Sequence, residues 1–245
     1  MPSYNCGDFI AESIRSVLGQ TYENVELIVS DDHSTDNTQE VVGSFDDERL
    51  IYIRSEKNMG ASYARNAALE KAHGAFYAFL DSDDVWHPDK LEKQIAFMEK
   101  TGADFSCTAY RKIDESGNPL GITITPYEKA DYNRELYAGN PVGNSTAMYS
   151  AEKFGDVRIP IIRSRNDFAL WLSILKRTDY VYGCPEVLVD YRVRSGSVSS
   201  NKFKLIRSHW YLYRKIEKLN VFKSAAAMCG WVIVKGLKLR EKKTL

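Results

Sequence analysis

A chain of 245 residues with 44% hydrophobic and 27% charged residues has the composition of a soluble globular protein, and its length excludes a small scaffold stapled by disulfides. Its net charge is zero, yet from residue 202 onward there are twelve basic and two acidic residues, a net charge of +10, which leaves −10 for residues 1–201. The tail is therefore a basic appendage on an acidic body. Four scattered cysteines without a CxxC pair predict reduced thiols in a reducing compartment, and no signal peptide is predicted.

The first 110 residues alternate short apolar runs with amphipathic stretches, the pattern of parallel βαβ units. Strands are predicted over residues 25–30, 50–54, 75–80 and 105–111. Four helices are predicted. The first covers residues 8–20, the second begins at about residue 35, the third follows the turn at 58–60 and runs to about residue 73, and the fourth covers 88–101. For the second of these helices, Ser34 or Thr35 is a plausible cap.

Beyond residue 111 the pattern weakens. Residues 111–142 show no clean period and predict loops with short elements that cover one end of the sheet. A short strand is expected after Thr146, followed by a compact amphipathic helix over residues 167–177. Two further strands are predicted over residues 180–184 and 187–192, on either side of Pro185.

The basic tail, residues 202–245, is predicted to be mostly helical. Its first helix has apolar side chains at spacings of three and four, and these define its expected buried face: Ile206, Trp210, Tyr213, Ile216 and Leu219. A second helix contains the apolar run 225–234, which is shorter than the roughly 20 residues that a bilayer-spanning helix needs. Such a helix can lie in a membrane interface, with cations near anionic headgroups. The alternative is an amphipathic helix packed on the body with a solvated basic face.

Two predicted strands end in carboxylates. Asp31 and Asp32 follow the first, and Asp81, Asp83 and Asp84 follow the run that ends at residue 80. In an open α/β sheet such ends line a common crevice where ligands bind. Three carboxylates so close together repel each other, which favours a bound cation. The alternative is a polar turn in which one aspartate caps the next helix.

Several familiar sites are excluded by the motifs. The sequence contains no GxGxxG and no GxxxxGK[ST], which argues against a Rossmann dehydrogenase and a P-loop NTPase. An EF-hand loop starting at Asp81 would place Trp86 where glycine is needed, with Pro88 inside the loop. A crevice with one metal and no glycine-rich phosphate loop instead suggests a nucleoside diphosphate held through its cation.

Five segments, in this order and spacing, resemble the inverting family 2 glycosyltransferases of GT-A fold. They are PSYN at 2–5, QTY at 20–22, DDHSTD at 31–36, NMG at 58–60 with RN at 65–66, and FLDSDDVWHP at 79–88. The resemblance is strong over the first 110 residues and looser to about residue 201. It implies an α/β fold with a Rossmann-like, mostly parallel sheet flanked by helices and a C-terminal helical tail. Residues 1–110 would then be the nucleotide-sugar-binding half, 111–201 the acceptor and catalytic half, and 202–245 the tail.

The resemblance implies donor-binding roles in the first half. Pro2 and Tyr4 match the residues that border the nucleobase, and Asp32 matches the acid that accepts a hydrogen bond from a uracil ring nitrogen. Arg65 belongs to the same donor-binding set.

The resemblance also implies metal and catalytic residues. Asp81 and Asp83 match the DxD pair, with Asp83 the direct ligand of Mg²⁺ or Mn²⁺ and Asp81 nearer the ribose or the metal's waters. Asp167, in RNDFALW at 165–171, matches the acid of the family's ED-x-x-LW pattern, which serves as general base. In the alternative interpretation, Asp167 caps the helix that follows.

Two positions depart from the family pattern near the site. Asn166 stands where the family usually has Glu, which lowers the local negative charge. Many members have His in the segment matched by residues 191–194, whereas this chain has Arg194, which cannot ligate a cation but can pair with phosphate. We expect a phosphate-covering loop made of Arg194 with Ser197, Ser199 and Lys202.

The third departure is at the start of the chain. Family members have several apolar residues before the PSYN segment, where they form the first strand of the sheet, but here the segment follows Met1 directly. We expect that Met1 corresponds to an internal position and that the ancestral start lies upstream.

Together these features predict a metal-dependent inverting glycosyltransferase that uses a nucleotide sugar, with UDP the expected carrier. The expected acceptor is a growing cell-surface glycan or a lipid-linked glycan. The expected location is the cytoplasmic face of the membrane, with peripheral attachment through the tail and no nucleic-acid partner. The rival interpretations are a nucleotidyltransferase and a non-catalytic nucleotide-sugar or carbohydrate-binding module.

Overall fold

The computed structural model describes residues 1–138, 142–194, 202–237 and 241–243. The strands are β1 (Pro2–Ser3), β2 (Leu27–Asp31), β3 (Leu50–Arg54), β4 (Phe76–Ala78), β5 (Val85–Trp86), β6 (Phe105–Ile113), β7 (Pro119–Ile124), β8 (Lys129–Ala130), β9 (Met148–Ser150), β10 (Val181–Arg192) and β11 (Glu241–Lys243). The helices are α1 (Gly7–Leu18), α2 (Thr38–Gly43), α3 (Ala61–Lys71), α4 (Lys90–Thr101), α5 (Tyr132–Ala138), α6 (Ala151–Phe154), α7 (Asn166–Leu175), α8 (Lys202–Tyr211) and α9 (Val221–Gly236).

The first sheet is parallel and has the order β1-β2-β3. The β-α-β alternation requires this arrangement, because each strand is followed by a helix that returns the chain to the same end of the sheet. Helix α1 packs against the sheet through Ile10, Ile14 and Val17, whose spacing places them on one buried face. The register pairs Ser3 with Asp31, so the residues that follow β1 and β2 meet at one edge.

The second sheet joins the remaining strands, with β6 and β10 in parallel at its centre. The α/β GT-A class predicted from the sequence is confirmed, but the parallel character is confined to the first sheet and the β6–β10 pair. The other pairings within the described residues are antiparallel. One reason is that β6 and β7 are joined by a tight hairpin in which Gly117 has φ 87°, and a short hairpin can join only antiparallel strands.

Residues 111–142, predicted to be loops with short elements, contain the short elements β7, β8 and α5. One prediction about the second half changes in the structure. The two strands predicted around Pro185 form the single strand β10, whose register with β6 shifts between Cys184 and Val187. Proline lacks the N–H that a ladder needs, and the strand accommodates it with this irregularity instead of ending.

The predicted cap of α2 is wrong. The helix begins at Thr38, with Asn37 in the cap position and no side-chain cap bond. The Ser34 hydroxyl instead donates to Asp31, and the Thr35 N–H donates to Asn5. Both residues therefore tie the ends of β1 and β2 together.

The described part of the tail is mostly helical, as predicted, although Glu241–Lys243 form strand β11. Its buried face differs from the prediction. Ile206 and Trp210 are exposed, whereas Leu205, His209 and Leu212 are buried. A π-helical segment over Leu212–Ile216 follows α8 and changes the helical period, so a constant spacing of three and four cannot identify the packed face across both segments. Tyr213, which was on the predicted face, is buried.

A cavity of about 500 Å³ lies between the two sheets. It is lined by residues of β2, α3 and β4, among them Leu27, Leu69 and Phe76. Trp171 of α7 packs beyond it, with its ring 5.3 Å from that of Phe79.

Among the described helices, none is both long enough and apolar enough to cross a bilayer.

Candidate active site

The two aspartates at the end of β2 have different surroundings. Asp31 is fully buried, and its carboxylate accepts hydrogen bonds from the Ser34 N–H and hydroxyl at 3.0 and 2.5 Å and from the Tyr52 hydroxyl at 2.6 Å. Arg54 lies 3.6 Å from the same carboxylate. These contacts give Asp31 a structural role.

Asp32, one residue later, holds the turn before α3. Its two carboxylate oxygens accept the backbone N–H groups of Met59 at 2.7 Å and Gly60 at 2.6 Å. Gly60 has φ 92°, a conformation that glycine adopts without strain. Because each carboxylate oxygen has two lone pairs, Asp32 can still accept a further hydrogen bond.

Tyr4 lies at the same edge as Asp32. The Asp32 N–H donates to the Ser3 carbonyl at 2.8 Å, so the residue after β1 is held beside the residue after β2. The Tyr4 side chain is exposed and Pro2 is half-buried. The structure therefore brings together three of the residues expected at the nucleobase.

The carboxylate loop that follows β4 is anchored by Asp84. This side chain is buried, and it accepts hydrogen bonds from the Ser145 hydroxyl at 2.5 Å and the Arg192 N–H at 2.9 Å. The Ser13 hydroxyl of α1 donates to the backbone carbonyl of Asp84 at 2.7 Å. Burial raises the pKa of Asp84 well above its usual value, and the carboxylates of Asp81 and Asp83 add to the shift. Asp84 thus ties the loop to α1, β10 and the turn before β9.

The buried Arg192 side chain supports the same loop from β10. Its Nε donates to the Asp83 carbonyl at 2.9 Å, and its Nη2 donates to Glu12 at 2.6 Å. Its Nη1 donates to the carbonyls of Asp114 and Glu115 at 3.3 and 3.0 Å. One guanidinium therefore fixes the backbone of the loop, while the Asp83 side chain is left to point elsewhere.

The Asp83 carboxylate is partly exposed and pairs with Arg194, whose Nη1 lies 3.1 Å from Oδ2. Burial raises the pKa of Asp83, the Asp81 carboxylate raises it further, and Arg194 opposes both effects. The Arg194 guanidinium also lies 4.4 Å from the centre of the Phe9 ring. Arg194, which was expected to contact phosphate, is therefore paired with Asp83, which was expected to bind the metal.

Asp81 is joined to α7 through Arg65. Arg65 Nη2 donates to Asp81 Oδ1 at 2.6 Å, and Nη1 donates to Asn166 Oδ1 at 2.7 Å. Asn144 donates to the same Asp81 oxygen at 2.8 Å. Since the Arg65 side chain is almost fully buried, these charge-assisted bonds act where water screens them least.

The start of α7 presents Asn166 and then Asp167. Arg165 occupies the cap position with φ 64° and makes no side-chain cap bond, and this left-handed residue turns the chain into the helix. Asp167 lies in the first turn and is partly exposed, whereas Phe168 is fully buried. The alternative in which Asp167 is the helix cap is therefore wrong.

The carboxylate loop offers a partial set of ligands for a divalent cation. Within the described residues, no group of three or more His, Cys, Asp or Glu side chains could enclose a metal ion. Asp81 and Asp83 offer hard oxygen ligands. Burial and then the neighbouring Asp81 carboxylate raise the pKa of Asp83, and a cation would relieve the second of these effects. Two carboxylates suit Mg²⁺ or Mn²⁺ when phosphate and water complete the coordination.

Four residues that sequence reasoning did not single out support the site: Ser145, Asn144, Arg192 and Phe9. None of the four carries a recognisable signal in the sequence. They contact the site across long stretches of chain. Ser197 and Ser199 of the expected phosphate loop lie outside the described residues, as does the side chain of Lys202.

Residues 1–158 match the family described as Glycosyl transferase family 2. This region includes every carboxylate of the two strand ends and stops before α7.

Curated relatives extend the similarity over the full chain. The chain is 41% identical over 246 aligned residues to TuaG of Bacillus subtilis, a glycosyltransferase named for teichuronic acid biosynthesis, with 100% of this chain and 95% of the relative covered. It is 40% identical to WfgD of Escherichia coli, a UDP-Glc:alpha-D-GlcNAc-diphosphoundecaprenol beta-1,3-glucosyltransferase. That alignment covers 86% of this chain and 82% of WfgD.

Solved structures share the fold. TarS of S. aureus, residues 1–349 in complex with UDP-GlcNAc, superposes with a TM-score of 0.72 at 21% identity, covering 94% of this chain and 70% of that one. The mannosyltransferase PcManGT from Pyrobaculum calidifontis, in complex with GDP-Man and Mn²⁺, gives a TM-score of 0.62 at 16% identity, covering 96% and 73%. At these identities the likeness concerns the fold.

Proposed function

The chain belongs to glycosyl transferase family 2, and from that premise we propose that it is a metal-dependent inverting glycosyltransferase with a UDP-sugar donor. The proposed acceptor is a cell-surface glycan or a lipid-linked glycan. The relative WfgD is named for UDP-glucose and a diphosphoundecaprenol acceptor, which supports both classes of substrate.

The observation that carries the proposal is the bridge made by Arg65. This side chain donates at once to Asp81 in the carboxylate loop and to Asn166 beside Asp167. An inverting transfer needs a donor site and a base on opposite sides of the anomeric carbon. A rigid connection between the two holds them at a fixed separation, which is the condition for a productive geometry.

On the donor side, we propose that Asp32, Pro2 and Tyr4 receive the nucleobase. Asp81 and Asp83 would hold Mg²⁺ or Mn²⁺, which supplies Lewis-acid stabilisation of the departing diphosphate. Arg194 would exchange its pairing with Asp83 for phosphate, because an arginine pairs well with either partner.

On the acceptor side, we propose Asp167 as the general base. Its carboxylate would take the proton of the acceptor hydroxyl as that oxygen attacks the anomeric carbon. Asn166, a neutral residue, accepts the Arg65 hydrogen bond where most members of the family have an acid. Asp167 therefore has no second carboxylate beside it in the sequence.

The proposed location is the cytoplasmic face of the membrane, with the chain attached peripherally. A lipid-linked acceptor remains in the bilayer, so an enzyme that acts on it must work at the surface. The net charge of +10 from residue 202 onward favours an anionic leaflet.

The test is the Asp167→Asn variant assayed with Mn²⁺ and a panel of UDP-sugars. We expect kcat to fall roughly 10²- to 10⁴-fold, because Asn cannot accept the proton. Donor binding, measured as a thermal shift, should be unchanged since the donor contacts lie elsewhere. Asp179→Asn, which alters an exposed acid beyond the other end of α7, is the matched control and should retain full turnover.

The same experiment separates the rivals. If the unmutated chain were a binding module, the donor would raise its melting temperature but no nucleoside diphosphate would be released. A nucleotidyltransferase would also release no nucleoside diphosphate, but it would release pyrophosphate when UTP and a sugar 1-phosphate replace the UDP-sugar. Full turnover in Asp167→Asn would refute the assignment of the base.

A further inference from the structure

Helix α9 has one apolar face packed on the protein. Ser224, Ala227 and Trp231 are buried, and the Trp231 ring lies 4.3 Å from that of His209 in α8. The backbone at Gly230 approaches α5 so closely that a methyl group there would lie 2.2 Å from the Tyr137 carbonyl oxygen. This face is fully used in holding the tail to the body.

The opposite face of α9 is also apolar, but it faces solvent. Phe222 is 86% exposed, Ile233 54% and Leu237 67%. The exposed residues between them are small or apolar as well: Ala225, Ala226, Cys229 and Val232. At 3.6 residues per turn these side chains fall within an arc of roughly 140° along the helix. We call this surface, residues 222, 225, 226, 229, 232, 233 and 237, the α9 outer face.

Lysines flank the α9 outer face on both sides. Lys223 lies along one border and Lys235 along the other, and both are exposed. Lys215 and Lys218, in the segment before the helix, add exposed positive charge. The acid in that segment, Glu217, is already engaged with Lys176 and the Tyr132 hydroxyl.

We propose that the α9 outer face is a membrane-contact surface that inserts its apolar side chains into the interface of an anionic bilayer. Apolar side chains bordered by cations match the two layers of such an interface, acyl chains below and anionic headgroups beside them. A second copy of the chain is a poorer occupant. A symmetric pair through this face would bring the two lysine borders together, and like charges repel.

The α9 outer face is mechanically linked to the helix that carries Asp167. The Ser164 hydroxyl, before α7, donates to the Ser208 hydroxyl of α8 at 2.6 Å. The Phe168 ring, next to Asp167, lies 5.9 Å from the His209 ring, and His209 in turn contacts Trp231. The inference deepens the proposed function and rests on it for the statement that the membrane holds the acceptor. The contact with lipid itself rests only on α9 and its charges.

The experiment measures co-sedimentation of the full chain with vesicles of phosphatidylcholine alone or with 30% phosphatidylglycerol. We expect strong binding to the anionic vesicles and at least tenfold weaker binding to the neutral ones. The Phe222→Ser/Ile233→Ser variant should lose at least tenfold in affinity for anionic vesicles. Both positions are exposed, so its melting temperature should match that of the unmutated chain.

The matched control is Leu120→Ser/Tyr180→Ser, which removes one exposed aliphatic and one exposed aromatic side chain from other surfaces and should bind vesicles normally. Equal vesicle binding by the α9 variant and the unmutated chain would overturn the proposal. A concentration-dependent dimer that the α9 substitutions abolish, without vesicle binding, would also overturn it. Asp167→Asn should keep full vesicle binding, so a failure of the catalytic proposal is distinguishable from a failure of this one.

Discussion

The two acidic strand ends look alike in sequence and differ in structure. After β2, the Asp31 carboxylate is buried and its hydrogen bonds come from hydroxyl and backbone groups of the first sheet. After β4, Asp84 is buried in a similar way, but Asp81 and Asp83 remain partly exposed and face arginines. Each end therefore uses one acid for the fold, and the second end keeps a partly exposed pair that we propose as the metal ligands.

The difference lies in the partners. Asp31 is fully buried and is satisfied mainly by hydroxyl and backbone donors, with Arg54 at 3.6 Å, so a ligand cannot reach it. Arg194 and Asp83 form an ion pair in which both side chains are partly exposed, and such a pair can be exchanged for a cation and a phosphate at small net cost. Strand-end acids thus indicate a site only when their partners are exchangeable.

The largest effect is expected from Asp83→Asn. We expect turnover with Mn²⁺ to fall roughly 100- to 1,000-fold, because the substitution removes a charged metal ligand. The free energy of unfolding should change by less than about 1 kcal/mol, since the lost ion pair with Arg194 is partly exposed. Steady-state kinetics and urea unfolding on one preparation measure both quantities. Normal turnover in this variant, or in excess EDTA, would contradict the metal assignment.

The reverse outcome is expected from Asp31→Ala. Removing this buried carboxylate leaves the Ser34 and Tyr52 donors without their partner, so the free energy of unfolding should fall by about 3 kcal/mol. Turnover of the folded fraction should stay within a few-fold of normal. Asp46→Ala, at an exposed acid in the loop before β3, is the control and should be nearly neutral. A stable but inactive Asp31→Ala protein would erase the distinction between the two strand ends.

The smallest effect concerns Lys90, the cation nearest in sequence to the carboxylate loop. Its ammonium is buried 3.8 Å from the centre of the Trp86 ring and has no hydrogen-bond partner among the described residues. Burial lowers the pKa of Lys90 to about 7. Between pH 7 and the ordinary lysine pKa of 10.5, Lys90 is protonated more often in the unfolded chain than in the folded one. The free energy of unfolding therefore rises with pH across this window.

Urea unfolding at pH 7 and pH 9 measures this effect. From pH 7 to pH 9, the free energy of unfolding of the unmutated chain should increase by about 2 kcal/mol more than that of Lys90→Met, which lacks the titrating group. An identical pH profile in the two proteins would indicate that Lys90 is paired with an acid, and the second strand end would then have one more neutralising cation than the structure shows.

Local pattern was sufficient to predict the first half of the fold. Periodicity over contiguous residues predicts the helices α1 and α4 and the strand β3, because this periodicity reflects which face of each element is buried. Pattern did not specify the elements where long-range contacts decide. Residues 111–142 form β7 because the central strand β6 offers it an edge, and that edge cannot be seen from the segment itself.

The candidate site was predictable in its acids and not in what holds them. Asp81, Asp83 and Asp84 are visible as a motif, but the partner that distinguishes Asp84 is Ser145, 61 positions away. Arg65 was identified, yet its bond to Asn166 crosses 101 positions. The roles of Asp83 as metal ligand and Asp167 as base remain predictions until the variants are measured.

Arg65 has a thermodynamic consequence that reaches beyond geometry. One guanidinium contacts the proposed donor side through Asp81 and the proposed acceptor side through Asn166, so a shift demanded by one substrate is felt by the other. Linkage requires that if donor binding changes acceptor affinity by some factor, acceptor binding changes donor affinity by the same factor. The two dissociation constants of such an enzyme are not independent, and selection that tightens its hold on one substrate also moves its hold on the other.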